Sequence, residues 1–253
     1  MAQSLFLFSR RNNMLDIKTD TEEKILTPVC VVPLGPGNPE DLTLGCWHKL
    51  QAADLIFCPS TLSGESKARQ IMLAVGIKPE QIRAYPLPMS KDRTAALRAY
   101  DKVTEEAAEN YRLGLRVVIT AEGDAGLYSS SGYIFSRLDQ LGVQTERKAG
   151  IPAFVAAAAL SKVILTEGDE SLLILPIVKS AESLLNQIDQ GATVVLMKCS
   201  QSVETIKSAI RKRPDLNWHY FESVGYAQEY CTSSVEEIIE RSFPYFSLII
   251  VRR

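Results

Sequence analysis

VCVVPLGPGNPEDLTLGCWHKLQAADLIFCPS, residues 29–60, decides the fold. The run from Pro28 to Leu34 is apolar throughout and stops at Gly35. A short apolar run closed by glycine suits a strand buried on both faces. Asn38 then reads as a helix N-cap, with Pro39 at the first helical position, where its missing N–H costs nothing. Asp41 completes a box-like cap. Leu42, Cys46, Leu50 and Ala53 recur at helical spacing on one face. Leu55–Ser60 is a second buried strand. Strand, loop, helix and strand in that order form the unit of a parallel sheet.

The alternation continues downstream. Helices are expected over Glu65–Val75, Arg93–Leu113 and Ser130–Leu141, and strands over Gln81–Leu87 and Arg116–Thr120. Such an order implies a mostly parallel sheet covered on both sides. From Gly150 the pattern changes. IPAFVAAAALSK is a helix of small residues, built for close packing. LLILPIV, TVVLMKC and YFSLIIV read as strands, and WHYFESVG and EYCTSS lack a helix between them, which predicts antiparallel pairing. The expected fold is α/β, with two α/β domains. The N-terminal one, residues 25–147, carries a mostly parallel sheet. The C-terminal one, residues 148–253, carries a mixed sheet, and the hinge lies near Arg147–Gly150.

Composition sets outer limits. At 253 residues the chain can bury a full core without staples. Its net charge of −2 argues against a broadly basic nucleic-acid surface. Five cysteines, at 30, 46, 58, 199 and 231, form no CxxC pair and read as reduced thiols of a cytoplasmic protein. No apolar run reaches the about 18 residues of a membrane span. The short apolar stretch Leu5–Phe8 precedes its basic pair, the wrong order for a signal peptide. Residues 1–24 read as a flexible arm, or as upstream of a true start at Met14. His48 falls on the exposed side of its helix and His219 in an aromatic strand, so neither a histidine metal site nor a Ser–His–Asp triad has its parts.

Two loops leave the carboxyl ends of predicted strands, where ligands bind in open α/β sheets. Gly35-Pro36-Gly37-Asn38-Pro39 lacks the GxGxxG fingerprint, because Glu40 stands at its sixth position. Glu40 and Asp41 also place negative charge where a phosphate would sit. Ala121-Glu122-Gly123-Asp124-Ala125-Gly126-Leu127-Tyr128 combines two glycines, for close backbone approach, with an acidic anchor. Each loop, taken alone, reads equally as a plain tight turn.

Taken together and in order, the segments resemble the tetrapyrrole methylase family, the class III S-adenosylmethionine (SAM)-dependent methyltransferases. PLGPGNPEDLT matches the family's opening GxGPGDPELLT, EGDAGLYSS its central GDPxxYS, AGIPAFVAAAA its PGxSSxxAAAA-type helix, and Val194–Lys198 its VVLMK strand. LPMSKDRTAALRAY, LTEGDESLLILP and PYFSLIIVRR are similar to segments of the branch that methylates precorrin-2 or cobalt-precorrin-2 at C20. The motifs depart from the family pattern at three places: Asn38 for Asp, Ala125 for Pro, and Pro152-Ala153 for a hydroxyl and a small residue.

The resemblance implies a trough between the two domains, a homodimer, and SAM held mainly by backbone groups. By matching motifs, it places SAM near Pro36, Glu122, Gly123, Asp124, Leu127, Pro152, Ala153, Met197, Val224 and Gly225. The substrate's electron-rich ring is the nucleophile, so no side-chain nucleophile is required. Asp124 and Tyr128 are candidates for a general base, and Lys91, Arg93 and Lys198 for contacts to substrate carboxylates. No metal, nucleic acid or membrane partner is expected. Other tetrapyrroles, diphthine or rRNA as substrates, a non-catalytic SAM- or tetrapyrrole-binding module, and a nucleotide-binding scaffold are the competing readings.

Overall fold

The computed structural model describes residues 26–88 and 93–253. The expected arm over residues 1–24, and Lys91, lie outside the described residues. The N-terminal half builds a sheet from β1 (Val29–Pro33), β2 (Leu55–Ser60), β3 (Ile82–Pro86), β4 (Val117–Ala121) and β5 (Thr145–Arg147). The strand order is β3-β2-β4-β1-β5, and every pairing is parallel. Side chains alternate across the sheet with period two. Val29, Leu55, Phe57, Val117 and Ile119 face a core shared with α3 (Thr94–Arg112) and α4 (Ser131–Gln140). Cys30, Val32, Ile56, Cys58 and Val118 face the opposite core, under α1 (Leu44–Ala52) and α2 (Lys67–Ala74).

The first helix does not begin at Pro39. Asn38 caps only a three-residue 3-10 turn, Pro39–Asp41, by accepting the Glu40 N–H at 3.1 Å. Leu42 then turns extended and packs against the core, and the Thr43 hydroxyl caps α1 by accepting the Cys46 N–H at 3.3 Å. Two good cap residues in succession divide the segment, because burying Leu42 requires a break between them. Asp41 closes no capping box. Burial and the neighbouring Glu40 and Glu229 push its carboxyl pKa up.

The C-terminal half orders its strands β6-β7-β10-β8-β9. They are β6 (Leu172–Leu175), β7 (Thr193–Met197), β8 (Asn217–Glu222), β9 (Tyr230–Thr232) and β10 (Ser247–Arg252). β6 and β7 are parallel, while β10 runs antiparallel to β7 and β8, and β8 to β9. The sheet is therefore mixed, and the predicted antiparallel pair is present. α6 (Ala181–Asp189), α7 (Val203–Lys212) and α8 (Val235–Glu240) cover one face. α5 (Ala153–Ser161) covers the other, together with Leu127 from the N-terminal half. β6 stops short of the expected LLILPIV run because Pro176 has no N–H for the ladder.

No helix among the described residues is long and apolar enough to cross a membrane. Cys30, Cys46, Cys58 and Cys199 are buried free thiols, and Cys231 is exposed. Burial is the main cause that pushes the thiols of Cys30 and Cys199 up to about 12. Thiolate is the reactive form, so these groups are inert while the fold holds. A disulfide reagent at pH 8 is therefore expected to titrate one thiol, Cys231, in the native protein and all five after denaturation. Rapid modification of Cys30 or Cys199 in native protein, located by peptide mapping, contradicts this packing.

Candidate active site

β1 and β4 lie side by side, but their chains leave in opposite directions. The loop after β1 leads to α1 on one face, and the loop after β4 leads to α4 on the other. Such a switch in direction opens a crevice at the carboxyl edge of a parallel sheet. Here two glycines tie its walls together. The Gly35 N–H donates to the Gly123 carbonyl at 3.2 Å, and the Gly123 N–H returns to the Gly35 carbonyl at 2.7 Å. Both residues have positive φ, +76° and +68°, a conformation that favours glycine.

Asp124 anchors the same loop. One carboxylate oxygen accepts the Gly126 N–H at 2.7 Å, and the other accepts the Gly150 N–H at 2.8 Å, across to the segment that enters α5. Gly150 admits no side chain, since a Cβ there would lie 2.5 Å from Pro33 Cβ and 2.6 Å from the Gly123 carbonyl oxygen. The end of β1, the end of β4 and the connection between the two halves are thus pinned at one point.

The C-terminal half closes onto this point. Gly37, at φ +152°, leaves room for the Tyr226 ring and the Val224 carbonyl, which a Cβ would approach to 2.7 and 2.8 Å. Gly225, at φ +79°, sits against the backbone of Gly37 and Asn38. The exchange of side chains is reciprocal. Tyr226 packs onto the N-terminal core beneath α1 and α2, and Leu127 packs onto the C-terminal cluster of Phe154, Phe221 and Leu248. Tyr128, at φ +51°, reaches across and donates its hydroxyl to the Ile174 carbonyl at 2.9 Å.

Most positions that the motifs single out meet here. Pro36 is buried beside Gly37, and Leu127, Ala153, Met197 and Val224 share one apolar cluster. Pro152 stands directly before α5, where its carbonyl accepts the Val155 N–H at 3.0 Å. Ala125, at the departure from GDP, is buried against Val31 and Ala121. Lys198 follows Met197 in a left-handed conformation. Arg93 is exposed, and its guanidinium lies 4.9 Å from the Tyr133 ring, on the flank formed by α3 and α4.

Three further residues went unnoticed in the sequence. Lys67, at the start of α2, holds its Nζ 4.1 Å from the centroid of Tyr226 and 4.0 Å from that of Phe246. Burial lowers the Lys67 pKa, and the negative charge of Glu122 opposes that shift. Conversely, burial raises the Glu122 pKa against the pull of Lys67. The Tyr226 hydroxyl is buried with no hydrogen-bond partner among the described residues. The available signal was topological: Lys67 follows β2 as Glu122 follows β4, at the same edge of the sheet.

These features can be set beside known proteins. A model of the tetrapyrrole (corrin/porphyrin) methylases matches residues 28–239. The chain belongs to that family. It is 30% identical over 236 residues to a probable cobalt-precorrin-2 C(20)-methyltransferase of Methanocaldococcus jannaschii, covering 91% of this chain and 98% of the relative. It is 25% identical over 222 residues to the cobalt-precorrin-2 C(20)-methyltransferase of Salmonella typhimurium, covering 87% and 93%. Among solved structures, a cobalt precorrin-4 methyltransferase superposes with a TM-score of 0.68 at 18% identity over 88% of this chain and 94% of its own. The uroporphyrin-III C-methyltransferase of Thermus thermophilus, in complex with S-adenosylhomocysteine, gives 0.61 at 18% identity, covering 89% and 92%.

Tetrapyrrole methylases use SAM, and this crevice fits such a group. Its two chain neighbours apart, nothing among the described residues lies within 4 Å of where a Gly123 Cβ would be. Met197 and Leu127 offer half-buried apolar surface, and the Tyr226 hydroxyl has polar capacity to spare. Among the described residues no group of three or more metal-ligating side chains occurs.

Because Gly37 meets both an aromatic ring and a carbonyl, Gly37→Ala is expected to part the two halves at this seam. We expect SAM affinity to fall about tenfold or more, and stability by about 1–3 kcal/mol, as overpacking costs elsewhere. Calorimetric titration and a denaturant melt check both. Unchanged affinity would show that the seam does not shape the cofactor site.

Proposed function

We propose that this protein transfers a methyl group from SAM to C20 of precorrin-2 or cobalt-precorrin-2, a step of cobalamin biosynthesis. The observation that carries this is the near full-length likeness to C20-methyltransferases, joined to a crevice in which the family's motif residues converge. SAM supplies an electrophilic methyl group and the ring supplies the electrons. The protein's part is to orient the two and keep water out.

In this reading SAM lies against the backbone of Glu122, but not its carboxylate, and against Pro36, Gly123, Asp124, Leu127, Pro152, Ala153, Met197, Val224 and Gly225. The Asp124 carboxylate already holds two backbone N–H groups, and the Tyr128 hydroxyl already donates to Ile174. We assign both to shaping the crevice, not to proton transfer. Arg93, Lys198 and Lys91 serve as counter-charges for the substrate's carboxylates.

The same reading takes residues 25–147 and 148–253 as two domains, in a cytoplasmic homodimer that binds neither nucleic acid nor membrane. Exposed Val155, Leu160, Ile164, Leu172 and Ile177, on α5 and around β6, supply apolar surface for a second copy.

Anaerobic incubation with SAM and precorrin-2, with and without cobalt, followed by mass spectrometry, tests the function. One added methyl group on one of the two substrates is expected, and it also selects the branch of the pathway. Addition to uroporphyrinogen III alone points to another member of the family. SAM binding without any addition points to a non-catalytic module.

A further inference from the structure

The reaction must also dispose of a proton. Methyl transfer breaks the S–CH3 bond, leaves its electron pair on sulfur, and forms the new C–CH3 bond from a π pair of the ring. The macrocycle is left with one positive charge. Loss of the hydrogen on the methylated carbon, as H⁺, returns that C–H pair to the ring and restores neutrality.

Asp124 and Tyr128 are occupied, as described above. Glu122 differs. It stands at the carboxyl end of β4, next to Gly123, and its carboxylate makes no hydrogen bond among the described residues. Protein encloses it on most sides, yet it is only half-buried, so it remains open to a ligand in the crevice. Three titratable groups from three other segments lie near enough to feel its charge: Lys67 from α2, Tyr226 from the β8–β9 loop, and Tyr245 from the approach to β10. Lys67 has no carboxylate within 4 Å among the described residues, and its ammonium group is held between the Tyr226 and Phe246 rings.

A half-buried carboxylate and a half-buried ammonium group thus lie near a buried phenol hydroxyl, with no hydrogen bond or ion pair between them among the described residues. An orphaned buried hydroxyl has given up its hydrogen bonds to water without replacement. Such groups call for a chemical explanation.

We propose that Glu122 is the proton acceptor of the methylation, with Lys67 as the positioning residue that sets its charge state and the Tyr226 hydroxyl as a polar neighbour for the bound ligand. The assignment rests on the methyl-transfer reading above. Glu122 enters the cycle ionised, takes the proton from the methylated carbon, and releases it to solvent through the open side of the crevice. Burial works in favour of this role, because a carboxyl raised towards neutrality is a stronger base at working pH than an exposed one. The Lys67 charge opposes the rise and keeps the group ionised enough to act.

The test pairs activity with a direct reading of protonation. Glu122→Gln is expected to bind SAM within about twofold of wild type by calorimetry and to lose about 10²-fold or more in kcat. In wild type the acid limb of kcat should follow a carboxyl band in infrared difference spectra, wild type minus E122Q, with a midpoint above the ordinary glutamate range. Lys67→Met removes the opposing charge and should move both midpoints to higher pH.

E122Q that turns over like wild type overturns the assignment. So does a tenfold loss of SAM affinity with kcat retained at saturating SAM, which makes the Glu122 carboxylate a cofactor contact. A band midpoint in the ordinary range that K67M leaves in place also overturns it. A wild-type protein that adds no methyl group to either substrate overturns the functional reading, and this assignment with it. A methylating wild type beside an unimpaired E122Q overturns this assignment alone.

Discussion

Two glycine peptides, Gly35 and Gly123, hydrogen-bond to each other between the carboxyl ends of β1 and β4, neighbouring strands that send their chains to opposite faces of the sheet. Everything around the crevice depends on that contact. It brings the ends of β1 and β4 close enough for the Asp124 carboxylate to reach Gly150, and so fixes where the second half of the chain begins. A side chain at Gly150 would drive Pro33 and the Gly123 carbonyl apart. The rigidity of the site therefore comes from missing side chains and from one bidentate acceptor, which need little apolar area and leave the crevice free.

The seam between the halves is made differently. Each half lends one side chain to the other's core, Leu127 in one direction and Tyr226 in the other. Lys67 adds a charge between two rings of the C-terminal half, a contact worth about 0.5–2 kcal/mol depending on desolvation. The outcome is a junction that is packed at its base and polar near its opening. Asp124 and Glu122, two residues apart, show how environment divides labour: one carboxylate is saturated by backbone donors, while the other faces a cation without bonding it.

Much of this was legible in the chain. The apolar runs of β1, β2 and β4 are unmistakable because both faces of that sheet are covered, and the paired loops stand out through their glycines. The motif order alone led to the tetrapyrrole methylases, which the match over residues 28–239 establishes. Less legible was β5, three polar residues whose strand character derives only from pairing with β1. The start of α1 was misplaced because Asn38-Pro39 is a sound local cap, and only the burial of Leu42 explains why Thr43 begins the helix instead. In the second half, α6, α7 and α8 were not singled out, since short helices between strong strands show little beyond their own amphipathicity.

The division has a physical basis. By itself the sequence determined the parallel and mixed character of the sheets, the two glycine loops and the family, because hydrophobic period and glycine placement are local properties of a chain. Only the tertiary structure decided that Asp124 is a saturated anchor, that Lys67 lies between two aromatic rings, and that the Tyr226 hydroxyl is buried with no hydrogen-bond partner among the described residues. Charge state and hydrogen-bond occupancy depend on what surrounds a group, and those surroundings come from other segments of the chain, as Gly150 does for Asp124 and the Tyr226 and Phe246 rings do for Lys67.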